Sequence, residues 1–182
     1  FINVGDRRRK RGCVGRVQPG YEVRIASPDA DGTGSIRIRG PGMFDAYVSP
    51  WQSRVEVLAG DWFDTGDVGR IDEDGDLFIL GREKNVINFV GMKIFPYEVE
   101  EVMASHPAVK ECCVYGSPHP LFGHLPCVQI VLKEGAASPD IKELRRFCFE
   151  RMADYKVPKK YVFVDEIERT RSGKIKRAPE AL

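Results

Sequence analysis

The sequence predicts an α+β protein in two parts, a β-rich first part and a compact α+β second part of about a hundred residues. Three observations carry this. Short strand-like runs, broken by glycines and prolines, fill the first part. An Asp74-Gly75 dipeptide, a strong hairpin signal, lies within the run at 68–80. Two helix starts, at Pro96 and at Ser138-Pro139, alternate with apolar β-rich runs in the second part.

The elements follow in order. Residues 7–11 are a basic run, read as a solvated arm because the rest of the chain balances its charge. Strands are predicted at 22–25 and 35–39. In the latter, Ile36 and Ile38 alternate with polar neighbours, as on a half-buried strand. Residues 68–80 read as a hairpin, with 77–80 as its second strand. The apolar stretch 86–94 is interrupted by Gly91, a sign of a bend or of close approach by another chain or ligand. Pro96 opens a helix. Glu98, Glu100 and Glu101 suit its positive end, and Phe95, Val99, Val102 and Met103 form its apolar face. His106-Pro107 ends it. Strands are predicted at 109–115 and 127–132. A second helix, capped by Ser138-Pro139, turns Ile141, Leu144, Phe147, Cys148 and Met152 inward. A last strand is predicted at 161–164, then a flexible polar loop at 170–177. The junction of the two parts is placed between Gly81 and Lys84.

Composition narrows the classes. The formal net charge is +1, and no recognised nucleic-acid fold motif is present. No apolar run is long enough to span a bilayer. The five cysteines (Cys13, Cys112, Cys113, Cys127, Cys148) are odd in number and include no C-x-x-C pair. They read as reduced, mostly buried thiols in a cytosol-like compartment. Cys112 and Cys113, being adjacent, should face opposite sides of a strand. His106, His119 and His124 lie in turns and do not cluster, so no metal site is predicted. The chain starts at Phe1, not Met, and reads as a fragment, so the lack of a signal peptide carries no information.

Three segments carry chemistry. The first is Gly60-Asp61-Trp62-Phe63-Asp64-Thr65-Gly66-Asp67. The second runs from Gly81-Arg82-Glu83-Lys84 through Phe89-Val90-Gly91-Met92-Lys93 to Pro96-Tyr97-Glu98-Val99-Glu100. The third is Arg169-Thr170-Arg171-Ser172-Gly173-Lys174-Ile175, with His106-Pro107-Ala108-Val109 and Tyr155-Lys156-Val157-Pro158 lying between the second and third. Each is weak alone. In this order they resemble the adenylate-forming superfamily: acyl-CoA and aryl-CoA synthetases, peptide-synthetase adenylation domains and beetle luciferases. The resemblance covers nearly the whole chain.

The resemblance implies a small C-terminal lid domain at 83–182, with a mixed sheet, a β-hairpin and flanking helices. Before it, residues 1–82 would be the β-rich end of a large N-terminal adenylation domain, with a hinge near Lys84. It implies an ATP-dependent acyl-CoA synthetase, in which a carboxylate and ATP give an acyl-adenylate and pyrophosphate, and the thiol of CoA then displaces AMP. Lys174 matches the adenylation lysine, and such chemistry needs fixed positive charge where two anions meet. Asp67 matches the carboxylate that accepts the ribose hydroxyls. Arg82 matches a second ribose contact. Lys84 matches the hinge position, where a few residues absorb a large dihedral change. Phe89, Val90 and Gly91 match the walls and clearance of a pantetheine channel. ATP, CoA and Mg2+ are implied, with no Mg2+ ligand in this chain. The implied partners are a carboxylic acid and the missing N-terminal domain, and the implied location is cytoplasmic.

The chain departs from the family at Glu168 and Arg171, where prolines are usual, so the lysine loop should be less constrained. The glycine- and threonine-rich phosphate loop, the Tyr-Gly-x-Thr-Glu segment and the acyl pocket lie outside this sequence. The chain alone is therefore expected to be inactive. Two other readings stand beside this one. An amino-acid-activating domain of a peptide synthetase would carry a more polar stretch than Val86-Ile87-Asn88-Phe89-Val90-Gly91. A non-catalytic lid or interaction module would dock on a partner.

Overall fold

Alternation of apolar and polar residues turns the first part into antiparallel strands. The computed structural model describes residues 2–3, 10, 12–43 and 45–177. Apart from Lys10, the basic run at 7–11 lies outside the described residues. The chain divides into two compact units, Phe1–Lys84 and Asn85–Leu182.

The first unit holds β1 (Ile2–Asn3), β2 (Cys13–Val17), β3 (Glu22–Ala26), β4 (Gly34–Arg39), β5 (Ala46–Val48), β6 (Trp51–Ser53), the short helix α1 (Arg54–Val57), β7 (Leu58–Ala59), β8 (Trp62–Ile71) and β9 (Asp76–Arg82). Among the described residues its main sheet runs β1-β2-β9-β8-β4-β3, and β7 adds to β8. All these pairs are antiparallel. The predicted strands at 22–25 and 35–39 are β3 and β4, in which Ile36 is buried and Ile38 half-buried. The turn between β8 and β9 closes at Asp74-Gly75, with Gly75 at φ +79°. Asp72 organises that turn by accepting from the backbone N–H groups of Asp74 and Asp76 at 3.1 and 2.9 Å. The first strand of this hairpin is longer than the sequence suggests. It reaches back to Trp62, so the Trp62 to Asp67 motif is itself strand. Gly69 permits the close β8–β9 approach, for a Cβ there would stand 2.1 Å from the Phe78 carbonyl oxygen.

The second unit holds β10 (Ile87–Phe89), β11 (Met92–Ile94), α2 (Pro96–Ala104), β12 (Val109–His119), β13 (Gly123–Leu132), α3 (Ile141–Phe149) and β14 (Lys160–Phe163). Its sheet runs β11-β10-β13-β12, with β14 also on β13. β14 pairs with β13 in parallel and the other pairs are antiparallel, so the sheet is mixed. Ile87, Ile94, Val99, Met103, Val109, Cys112, Val114, Val128, Ile130, Leu144, Cys148 and Val157 form one core between this sheet and the helices. A smaller cluster of Cys113, Val131 and Ile167 lies apart from it, with Val164 and Ile175 against it. Cys112 and Cys113 thus fall into different clusters, as adjacent strand residues must.

Several sequence expectations are corrected. The strands predicted at 109–115 and 127–132 continue to His119 and back to Gly123 as one long hairpin. Pro118 and Pro126 both fall within the added lengths. Pro118 is tolerated because β12 lies at the sheet edge. The cap of α3 is Asp140, whose side chain accepts from the Lys142 N–H at 3.2 Å, and not Ser138. Ile141 is exposed rather than inward, because it is the first helical residue and the core stripe begins at Leu144. The segment 170–177 is a hydrogen-bonded turn and not a loose loop. Thr170 N–H donates to Lys174 O (2.8 Å), Gly173 N–H to Thr170 O (2.9 Å) and Lys176 N–H to Glu168 O (2.9 Å).

Candidate active site

The site residues of the first unit are set by strand register. Asp67 and Arg82, fifteen positions apart in sequence, are direct partners across β8 and β9. Arg82 Nε lies 3.0 Å from Asp67 Oδ1, and Arg82 Nη1 donates to Thr65 O at 2.8 Å. The Thr65-Gly66 step bends the strand, with Gly66 at φ +68°. Its side-chain bonds hold the bend. Thr65 Oγ1 donates to Ile36 O (2.9 Å) and accepts from Asp67 N–H (3.1 Å), while Asp64 Oδ1 accepts from Gly66 N–H (3.0 Å). The Asp67 side chain is 23% exposed. A carboxylate offers about four lone-pair sites, so one guanidinium leaves capacity for two hydroxyls. Lys84 follows in a single 3-10 turn, Glu83–Asn85, and is exposed. It is the last residue of the first unit.

In the second unit, Phe89 and Met92 close a two-residue hairpin with Val90 and Gly91 at its tip. Both tip residues have positive φ, +51° and +79°. A tight hairpin turn of this hand requires that, and it suits glycine but not valine. Val90 is held there by its N–H, which donates to Phe122 O at 3.1 Å. Its side chain is exposed. Phe89 meets Phe122 edge to face at 6.0 Å, and the Lys159 ammonium stands 5.4 Å over the Phe89 ring. No atom lies within 4 Å of a Cβ built on Gly91. The glycine is required by its backbone angle, not by crowding within its own unit.

Lys174 flanks the turn at 170–173. Gly173 has φ +78°, Lys174 N–H donates to Thr170 Oγ1 at 3.2 Å, and the Thr170 and Ser172 hydroxyls are 3.0 Å apart. The side chain is exposed, and no carboxylate among the described residues pairs with its ammonium. The stems of the turn are held. Arg169 bridges to Ile175, donates to Gly173 O at 3.2 Å and pairs with Glu111 on β12. Lys176 pairs with Glu168 at 3.1 Å. Where the sequence predicts a loop loosened by Glu168 and Arg171, the Lys176–Glu168 and Arg169–Glu111 pairs hold the stems of the turn.

Sequence reasoning missed the pairings of two α2 glutamates, one of which pins this turn. Glu98 and Glu100 read as acids for the helix dipole. In the structure Glu98 pairs with Lys156, and Glu100 pairs with Arg177 through both oxygens. Glu100 Oε1 also accepts from the Val114 N–H at 2.8 Å. Burial works against the Arg177 charge, but the Glu100 carboxylate outweighs it and holds the guanidinium pKa above its ordinary value. The two-residue spacing of Glu98 and Glu100 sends them to different sides of the helix, and that was the available signal.

One acidic cluster also escaped a reading that weighed only cysteine and histidine. Asp72, Asp74 and Asp76 bring carboxylate oxygens within 4.8 Å of one another. The Lys10 ammonium sits among them, 3.3 Å from Asp76. Hydrogen bonding to Lys10 lowers the Asp72 pKa, and hydrogen bonding to Arg16 lowers that of Asp76. A lysine thus holds the position a cation would take. Burial pushes the Cys112 thiol up to about 12 and those of Cys113 and Cys148 to about 11, so none is a nucleophile at neutral pH. Among the described residues no helix is long and apolar enough to cross a membrane.

The comparisons with known proteins agree with one another. Residues 98–174 match the family model described as the AMP-binding enzyme C-terminal domain. The chain is 42% identical over 144 residues to 2-succinylbenzoate–CoA ligase of Geobacillus kaustophilus, covering 79% of this chain and 29% of that protein. It is 34% identical to indoleacetate–CoA ligase of Aromatoleum aromaticum, over 97% of this chain and 36% of the relative. Among solved structures, ATP-bound MatB from Rhodopseudomonas palustris superposes with a TM-score of 0.80 at 33% identity. That alignment covers 95% of this chain and 36% of MatB. The chain spans about a third of the length of the relatives it matches.

Proposed function

The chain belongs to the adenylate-forming superfamily, with an AMP-binding enzyme C-terminal domain at residues 98–174, and from that premise we propose that it is the hinge and lid of an ATP-dependent acyl-CoA synthetase. In the first half-reaction a carboxylate oxygen attacks the α-phosphorus of ATP, and the bond to pyrophosphate breaks. In the second the CoA sulfur attacks the acyl carbon, loses its proton, and AMP leaves.

The observation that carries this reading is the Lys174 ammonium. It is exposed, unpaired among the described residues, and set on a turn whose two stems are pinned. A lysine held ready without an internal partner is suited to neutralise anions that arrive together, here the carboxylate and the α-phosphate. Asp67 accepts the ribose hydroxyls, and Arg82 orients its carboxylate from across the hairpin. Phe89, Val90 and Gly91 line the path of the pantetheine arm. Lys84 takes up the rotation between the half-reactions; the lid is proposed to begin at 83, and the nearby division into units after Lys84 supports a hinge here.

The spacing within the second unit supports a rotation. The lysine turn is pinned at Glu111, whereas the Val90-Gly91 turn is held by Phe122, just past the far end of β12. From Glu111 to His119 the strand runs about 25 Å at roughly 3.3 Å per residue. One docked pose would not present both ends to one nucleotide-sized site. Mg2+ would accompany ATP, but the one carboxylate trio among the described residues is taken by Lys10, so no ligand is assigned here and no step is routed through the ion. Five unpaired thiols suit a reducing compartment, and a cytoplasmic location is part of the proposal.

The test is carboxylate-dependent ATP–pyrophosphate exchange by the full-length protein against a panel of acids, with and without Lys174→Ala. Exchange with one class of acid is expected. The substitution should lower it at least about tenfold, the worth of one charge-assisted contact of roughly 1.5–3 kcal/mol. Thioester formation from a supplied acyl-adenylate should survive. Equal loss of both half-reactions would contradict the role given to Lys174.

A further inference from the structure

We propose that Glu100 and Arg177 form a clasp that positions Lys174 for the adenylation half-reaction. The proposal rests on the ligase reading for its function but not for its geometry. Arg177 lies three residues beyond Lys174, and Glu100 is in α2, within the Pro96-Tyr97-Glu98-Val99-Glu100 motif. The two guanidinium nitrogens of Arg177 engage the two oxygens of Glu100, and Nη1 also donates to Val114 O at 3.1 Å. Glu100 in turn accepts from Val114 N–H at 2.8 Å. Both side chains are mostly covered, 13% exposed for Glu100 and 24% for Arg177.

The arrangement is specific in a way that a surface pair is not. A bidentate guanidinium–carboxylate pair fixes orientation as well as distance. This one ties the segment after Lys174 to β12 and α2 together. Arg169 ties the segment before Lys174 to Glu111 on the same β12. Between the two ties Ile175 packs on the Cys113 cluster. The turn at 170–174 is therefore clamped at both stems while its lysine projects outward. Proline rings do this work by restricting φ, and here Glu168 and Arg171 occupy those positions. The clasp restores by side-chain pairing the rigidity the backbone lacks.

Two experiments test it. The first uses amide hydrogen exchange on the chain itself and needs no activity. Arg177→Ala should speed exchange of the Thr170 and Lys176 amides about tenfold or more, while the Val128 and Ile130 amides stay protected. Unchanged exchange at Thr170 and Lys176 would overturn the clasp whatever the enzyme does. Glu100→Gln/Arg177→Met, which leaves no buried charge unpaired, should act in the same direction and guards against simple misfolding. The second uses the full-length protein. Arg177→Ala should lower pyrophosphate exchange about tenfold and leave thioester formation from supplied acyl-adenylate within about twofold. Adding Lys174→Ala should then cost little more, since both changes disable one group. Arg177→Lys should restore part of the exchange. Equal loss in both half-reactions, or full additivity with Lys174→Ala, would overturn the positioning role. A wild-type protein that exchanges with no acid would overturn the ligase reading, while the amide experiment would still decide the clasp.

Discussion

Val90 shows how much a single backbone angle can tell. A β-branched residue at φ +51° is strained, and such conformations cost on the order of 1–3 kcal/mol each. Its side chain is exposed, so core packing does not explain the choice. A valine at the tip of the proposed pantetheine channel does explain it, because an apolar wall is useful there. Val90→Asn should therefore stabilise the second unit by about 1 kcal/mol, since asparagine tolerates this region better. Urea unfolding of the chain measures it, and a lower midpoint would show that the turn is not strained. The same substitution should raise the KM for CoA in the full-length protein. Under the proposed function, this strain falls at the tip of the pantetheine channel.

At the scale of elements, each helix is held by few residues. α3 buries Leu144 and Cys148 fully, and its remaining face is polar or half-exposed. Leu144→Ala should cost about 2–5 kcal/mol, from lost transfer energy and the cavity left behind. A thermal melt of the chain would read this as a large fall in midpoint, and a change under about 1 kcal/mol would mean that α3 contributes little to the core. α2 is held differently, by Val99 and Met103 inside and by Glu98 and Glu100 paired at its margins. The predicted and observed elements agree best where periodicity is strong: β3, β4, the Asp74-Gly75 hairpin and α2. They differ where a local breaker competes with pairing. Pro118 and Pro126 hide the true length of the β12–β13 hairpin, because a ladder of cross-strand partners outweighs the loss of single donors. Asp140 takes the cap of α3 from Ser138, because capping depends on where the backbone first turns helical and not on residue type alone.

For the molecule as a whole, two expectations follow from architecture. The second unit carries buried thiols at Cys112, Cys113 and Cys148, raised by burial from 9.0 to about 12, 11 and 11. Above pH 9 the unfolded chain releases these protons and the folded chain keeps them. Stability should therefore be full below about pH 9 and fall as pH rises toward 11–12. Urea unfolding at pH 8 and pH 10.5 tests this, and equal midpoints would deny the burial effect. The other expectation concerns completeness. The chain spans about a third of the length of its relatives. The proposed adenylation lysine, ribose-binding pair and hinge lie in it, whereas the phosphate loop and acyl pocket of the resembled family lie outside the given sequence. Purified alone, it should show no carboxylate-dependent pyrophosphate exchange. Exchange at a rate near that of a complete ligase would require a second active-site architecture.

Much of this was legible from the residues in order. Alternating apolar residues, turn dipeptides and a proline at a helix start depend on neighbours along the chain, so local physics places β3, β4, the hairpin and α2. The candidate site residues Asp67, Arg82, Lys84, Gly91 and Lys174 are singled out by the resemblance of their motifs to the adenylate-forming superfamily. Their partnerships are not. That Asp67 faces Arg82, that Lys10 fills the Asp72 cluster, and that Glu100 grips Arg177 depend on contacts between residues 15, 62 and 77 positions apart. No local pattern encodes such contacts. They arise when strand register and helix packing bring distant segments within reach, and the desolvation of a charge then makes the nearest opposite charge its necessary companion.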